Sequence, residues 1–303
     1  MLTPDVLFDL AGFLHKDLFD DNEPVWTALQ NLSNYLDNLP CNFEIPFEIS
    51  NGTMTKEHLI WHHNRLFSAQ GYAIEFGDTL KGGLKIQKDG TILDGASLIM
   101  AGAVLIGNRI AIGNGVLIEA GATIKSPTVI GDLTEVRQGA YMRGNCLIGR
   151  RCVVGHATEV KHSIFLDDAK AGHFAYLGDS IIGNNVNLGA GTKCANLRFI
   201  PGTVQIIYER TIYDTGLRKL GAILGDNVQT GCNSVTSPGT MNSTTVTSAT
   251  ECSRKHSMPG PLRSTSAVSC FPDKQLLACQ AQLTRLGYGP LATLCGTGIL
   301  PVE

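Results

Sequence analysis

The sequence predicts an all-β solenoid, a stack of short parallel β-coils with a small helical cap at its N-terminal end. Three observations predict it. An aliphatic residue recurs at every sixth position from Ile106 to Val160 without a slip, through Ile112, Ile118, Ile124, Ile130, Val136, Met142, Ile148 and Val154. The residue after it is usually glycine, as at Gly107, Gly113, Gly131, Gly149 and Gly155, and a small or aliphatic residue stands four positions on, from Ile110 to Thr158. Glycine accounts for 34 of the 303 residues, above the usual ~7%, while aromatics are 7% and charged residues 17%.

A period of six suits neither a helix, at about 3.6 residues per turn, nor an amphipathic strand, at about 2.0. It suits coils in which each hexapeptide makes one short face and one corner. The aliphatic fills a narrow interior, and the next residue is small where the chain turns. Three hexapeptides then complete a triangular coil of about eighteen residues. An earlier set, Ile86, Ile92, Leu98 and Val104, has the same spacing in a frame shifted by two. A later set restarts at Ile182-Gly183 and Leu188-Gly189, after an interruption at 166–181.

Residues 1–80 are expected to form the cap. Val6 to Phe19 places Leu, Phe and Val at helical spacing, and Asp21-Asn22-Glu23-Pro24 then starts a second helix, Val25 to Leu39, with Trp26, Leu29, Leu32 and Leu36 on one stripe. A strand-like Phe43-Glu44-Ile45 and a helix from His58 to Ala69 complete it. That helix would carry His58 and His62 on one face beside His63, as surface histidines, since no third ligand or HExxH context stands near. The β-helix is assigned to 81–240, with an inserted loop at 196–222. In the insert, Val204-Gln205-Ile206-Ile207-Tyr208 alternates like a hairpin strand with Thr211-Ile212-Tyr213 as its partner. Residues 241–303 make a divergent tail, rich in Ser and Thr as far as 266 and with a short helix over Lys274 to Leu286.

Composition excludes several classes of function. With 24 Lys+Arg against 27 Asp+Glu, a net charge of −3, no nucleic-acid binding is expected from bulk charge. No apolar run approaches the roughly 20 residues of a membrane span, and Met1 to Lys16 lacks the basic start and small-residue cleavage site of a secretory signal. The nine cysteines include no CxxC pair, and their odd number without a signal suits reduced thiols in the cytoplasm. Asn51-Gly52-Thr53 matches a glycosylation sequon and is read as a turn.

Chemistry is expected where the repeat is broken by something large. Arg137, Arg143 and Lys161 occupy the slot after the core aliphatic. They are either solvated corners or a phosphate site, for which Arg offers a bidentate fork and Lys a point charge. His173, between Gly172 and Phe174 in the interruption, is either a general base or a structural histidine. His156 and His162 are candidates to join His173 in a metal site of the kind solenoid-type carbonic anhydrases carry, but their intervals of six and eleven residues do not match the HxxxxH element of those enzymes, so no metal is expected.

The six-residue repeat is that of the left-handed parallel β-helix family, and the hand follows from this resemblance. Glu159-Val160-Lys161, the stretch Lys170 to Asp179 and the stretch Gly183 to Thr192 resemble the acetyltransferase half of the bifunctional N-acetylglucosamine-1-phosphate uridylyltransferase/glucosamine-1-phosphate acetyltransferases. Val136-Arg137-Gln138-Gly139-Ala140 is similar to that family's arginine-bearing coil. Asn196-Leu197-Arg198 with Asp214 to Gly221 resembles its archaeal branch, inserted loop included. The likeness covers residues 84 to 240. It implies that His173 is the general base for the attacking amine and that Arg137, Lys161 and Tyr176 hold the sugar phosphate or nucleotide. It further implies that Asn187 contacts the sugar, that Ala190 and Asn196 contact acetyl-CoA as co-substrate, and that sites lie between subunits of a homotrimer. Leu197 stands where the family has tyrosine and Cys232 where it has serine. Residues 1–80 contain no Gly-rich nucleotide loop, so nucleotidyltransferase activity is not expected. Two functions are therefore in view: an N-acetyltransferase acting on an amino-sugar phosphate or nucleotide sugar, and a non-catalytic sugar-nucleotide-binding or trimerising module.

Overall fold

Strands here pair with partners about one coil on, so the chain winds rather than folds back. The computed structural model describes residues 1–39 and 45–243. In it Leu117 pairs in parallel with Glu135, Glu135 with Val153 and Val153 with Lys170. Three faces result. The first carries Glu135–Val136, Val153–His156, Lys170–His173 and Asn187–Leu188. The second carries Tyr141–Met142, Glu159–Lys161, Tyr176–Gly178 and Lys193–Cys194. The third carries Cys146–Ile148, Ser163–Phe165, Ile181–Ile182 and Ala222–Leu224. The chain is the parallel β-solenoid that the six-residue period predicts.

The six-residue series from Ile118 to Val160 lines the bore and is buried throughout. Each aliphatic side chain buried this way contributes about 1.5–3 kcal/mol. The glycines that follow it are required by stacking. A β-carbon on Gly131 would stand 2.6 Å from the backbone of Gly149, one coil on. Left-handed φ falls at neighbouring positions instead, and Gly139, Ala157 and Phe174 share one such corner at φ 72, 50 and 52°.

The interruption expected at 166–181 does not exist. The bore continues through Phe165, Ala171, Leu177, Ile182 and Leu188. What changes is coil length: Tyr141 pairs with Glu159, eighteen on, but Cys146 pairs with Ser163, seventeen on. One residue has been lost at the corner between the second and third faces, and the next coils keep the shorter length, with Glu159 opposite Tyr176 and Tyr176 opposite Lys193. The earlier frame also needs correction. Ile86 and Ile92 belong to a separate antiparallel sheet of Ala73–Glu75, Lys85–Lys88 and Thr91–Ile92. Leu98 packs outside the bore with Ile60 and Leu117, and Ile99 and Leu105 take the interior positions.

Only one of the helices expected before the repeat forms, Thr27–Asn38, and it buries Leu29, Leu32 and Leu36 as its stripe predicts. Val6 to Phe19 is an irregular path with 3-10 turns at Pro4–Val6 and Lys16–Leu18. Leu7, Phe8, Phe13, Leu18 and Phe19 are all buried, and on a helix these would point to several sides at once, so a winding path buries what one stripe would not. This segment packs on the third face against Leu147, Ile164, Leu166 and Ile181. The helix expected over His58 to Ala69 is a β-hairpin, Leu59–His62 with Arg65–Ser68, turning at His63 and Asn64 with φ 47 and 57°. It adds antiparallel to the solenoid, Leu59 opposite Ile99, and that edge pairing overrides local helical spacing. His58 and His62 accordingly share no helix face: their rings bond Ala101 and Asp94.

Between the third-face strands the pairing jumps from Ile181 to Ile223, forty-two on. The insert carries the hairpin its alternation predicts, Gln205–Tyr208 with Thr211–Asp214. Val204, Ile206 and Leu220 are buried on the third face with the N-terminal segment. Of the strand expected at Phe43-Glu44-Ile45 only Ile45 is described, and it is buried but in no strand; the helix expected over Lys274 to Leu286 lies outside the described residues.

Candidate functional site

The shortened corner between the second and third faces gathers polar side chains. His162, Asp179 and Asn196 succeed one another there in consecutive coils, seventeen residues apart each time. His162 and Asp179 both adopt left-handed backbone, at φ 46 and 50°. The Asp179 carboxylate is the buried member and accepts three side-chain hydrogen bonds. His162 Nδ1 donates to Oδ1 at 3.0 Å, Lys161 Nζ to Oδ2 at 3.3 Å, and Asn196 Nδ2 to the same oxygen. Burial pushes this carboxyl up, but the bonds from His162 and Asn196 and the charge of Lys161 outweigh it, and the carboxyl is held below its ordinary value.

Tyr176 completes the cluster. Its hydroxyl lies over Gly178, where a β-carbon would stand 2.6 Å from both that oxygen and Asn196 Nδ2. Burial first, and then Glu159 and Asp179, push its phenol up, so it stays a neutral hydrogen-bond donor. One coil below Lys161, Arg143 pairs with Glu159 at 2.8 Å.

A second corner, between the first and second faces, carries the histidine expected to be the base. His173 is exposed and pairs in register with His156 of the preceding coil. His156 Nδ1 bonds the Gln138 carbonyl at 2.9 Å, and its ring meets the exposed Phe174 edge-on at 5.3 Å. Ala190 follows His173 seventeen residues on, its carbonyl accepting from Asn233 N at 2.7 Å. Arg137, beside Gln138, pairs with Glu135 at 2.9 Å. Asn187 is exposed on the adjoining first face, opposite Lys170.

The structure therefore brings Lys161, Tyr176 and Asn196 together around Asp179, and groups His173 and Ala190 with Arg137 at a different corner. Basic residues do not run along one edge: Arg143 and Lys161 share a column, and Arg137 belongs to another. Nor do His156 and His162 share a site with His173, since only His156 stands at its corner. The sequence reading missed Asp179 and His162 as members of the cluster. Their signal was the repeated spacing of seventeen, hidden while the coil was counted at eighteen.

The family match covers the coils that carry both corners. Residues 124–251 match the family described as the GMPPB C-terminal domain. Over 81 residues, 27% of this chain, it is 44% identical to a bifunctional sugar-1-phosphate nucleotidylyltransferase/acetyltransferase from Sulfurisphaera tokodaii. It is 46% identical over 82 residues to the bifunctional protein GlmU of Methanococcus maripaludis, and 45% identical over 82 residues to that of Methanocaldococcus jannaschii. The match spans 20% of the length of each of these relatives. Among solved structures, perosamine N-acetyltransferase from Caulobacter crescentus, in complex with CoA and GDP-perosamine, is 24% identical over 39% of this chain and 56% of its own, with a TM-score of 0.28.

Proposed function

We propose that the chain is an N-acetyltransferase that moves the acetyl group of acetyl-CoA to the amine of an amino-sugar phosphate such as glucosamine-1-phosphate, or of a nucleotide-linked amino sugar, in nucleotide-sugar synthesis. The observation that carries this reading is the gathering of Lys161, Tyr176 and Asn196 at one corner, within the residues that match the GMPPB C-terminal domain. Lys161 and the neutral Tyr176 phenol offer donors to the acceptor's phosphate, with Arg137 as a further cation and Asn187 toward the sugar. His173, exposed at its corner, takes the proton as the amine nitrogen attacks the thioester carbonyl. The C–N bond forms, the C–S bond breaks, and the departing thiolate takes a proton in turn.

Ala190 suits a coenzyme contact because its small side chain, one coil beyond His173, leaves the corner open. Asn196 stands at the other corner with its amide held by Asp179. The second face separates the two corners within one chain, so the proposal includes a homotrimer in which His173 of one copy meets the Lys161 corner of the next. It also includes a cytoplasmic setting, supported by the free thiols of Cys146 and Cys152 in the bore. Among the described residues no helix is long and apolar enough to cross a membrane.

The test is release of CoA thiol on mixing acetyl-CoA with glucosamine-1-phosphate and related amino-sugar phosphates. Release is expected, with His173→Ala lowering kcat about 10²-fold or more while the oligomer persists. No release above background with any of them overturns the enzymatic reading. The same separation of the corners favours a second reading, a sugar-nucleotide-binding module without catalysis. A monomer that binds glucosamine-1-phosphate and releases no thiol would support it.

A further inference from the structure

We propose that His162 and Asp179 are positioning residues that couple phosphate binding at this corner to uptake of a proton on His162. The inference rests on the reading of the corner as the acceptor's phosphate site.

The chemistry of the hydrogen bonds leads there. An ionised carboxylate accepts and cannot donate, so His162 Nδ1, 3.0 Å from Asp179 Oδ1, carries a hydrogen. Nε2 is therefore the free ring nitrogen, and in neutral imidazole it is an acceptor. A phosphate dianion also only accepts. Nε2 bonds it only after taking a proton from solvent, which turns the ring into a donor at both ends. The charges agree. Lys161 and Asp179 cancel, so the cluster with neutral His162 has no net charge to offer an anion, and with His162 protonated it has +1. The other charged groups nearby, Arg143 and Glu159, form their own pair, and Tyr176 is neutral.

The geometry points the same way. The Asp179 side chain is 9% exposed, whereas those of Lys161 and His162 are 27% and 23% exposed. The carboxylate thus lies behind two groups that face outward, where it orients both without meeting the ligand. A histidine at φ 46° is uncommon and carries backbone strain. The lost corner residue sets it there, in line with Asp179 and Asn196.

Calorimetric titration of the full chain with glucosamine-1-phosphate, and separately with inorganic phosphate, at pH 7.5 in two buffers of different protonation enthalpy counts the protons taken up. Wild type is expected to take up more protons per phosphate than His162→Gln, by as much as one. Its affinity is expected to exceed that of His162→Gln about tenfold at pH 6, with the gap closing by pH 8.5. Asp179→Asn should weaken binding at both pH values. Imidazole nitrogen NMR of wild type, which needs no variant, should show Nε2 of His162 gaining its proton as phosphate is added. Equal proton uptake in wild type and His162→Gln, or an unchanged Nε2 signal on saturation, overturns the proposal, as does failure of both probes to bind. Inorganic phosphate bound with His162-dependent uptake, while glucosamine-1-phosphate is refused, would leave the proton coupling standing and sink the acceptor assignment.

Discussion

The hydroxyl of Tyr176 lies across the α-carbon of Gly178, so close that a β-carbon there would stand 2.6 Å from it. Asn196 Nδ2 meets the same space at the same distance. Gly178 is therefore the floor on which two site side chains rest. Both obstacles are the ends of side chains, so Gly178→Ala should displace them with little damage to the fold. We expect affinity for glucosamine-1-phosphate to fall at least about tenfold, with a melting temperature within a few degrees of wild type. Unchanged affinity in a titration would show that neither side chain touches the ligand.

Gly155 and Gly172 occupy the same slot in successive coils and should respond in opposite ways. A β-carbon on Gly155 would overlap the Gly172 carbonyl, which is backbone and cannot swing aside, whereas one on Gly172 meets nothing within 4 Å. Gly155→Ala should lower stability by about 1–3 kcal/mol or more, as overpacking does, and Gly172→Ala by no more than about 0.5 kcal/mol. Denaturant melts of the two variants decide it, and equal losses would contradict the stacking.

Acid should unpick Asp179. Its carboxyl is held below the ordinary value of 3.8, so it contributes stability that is fully present above that value and is lost as pH falls through the folded-state value. Wild type should therefore melt above Asp179→Asn at neutral pH, and the gap should narrow below about pH 4. A gap that widened under acid would mean that burial, which pushes the carboxyl up, is the stronger influence.

Burial pushes the Cys146 thiol up to about 12 and raises that of Cys152 as well. Both line the bore with Cys194, whereas Cys232 is exposed. Since the thiolate is the reactive form, a thiol reagent should modify Cys232 in the native chain and reach the three bore cysteines only on denaturation. Peptide mass spectrometry resolves the sites, and rapid native labelling of Cys146 or Cys152 would argue against a packed bore.

The bore was legible because its rule is local. Each aliphatic from Ile112 to Val160 announces its interior position by neighbours six residues away, and burial of one side chain per face needs no knowledge of the rest of the chain. The alternation at 204–208 and the stripe of Leu29, Leu32 and Leu36 were readable for the same reason: a strand or helix shows its buried side within a few residues.

Stacking settled what local spacing left open. Loss of one corner residue made Asp179 the neighbour of His162 and Asn196, contacts that a count of eighteen would have misplaced. Column membership put Arg137 at another corner from Lys161, though both follow a core aliphatic. Pairing with Ile99 drew Leu59 and its neighbours into a hairpin instead of a helix. The third face held the N-terminal segment in an irregular path because its apolar side chains point in several directions. In each case the deciding partner lies a whole coil or more away along the chain. A solenoid's period gives the order of its rungs, and the number of residues lost or added at each corner decides which side chains meet.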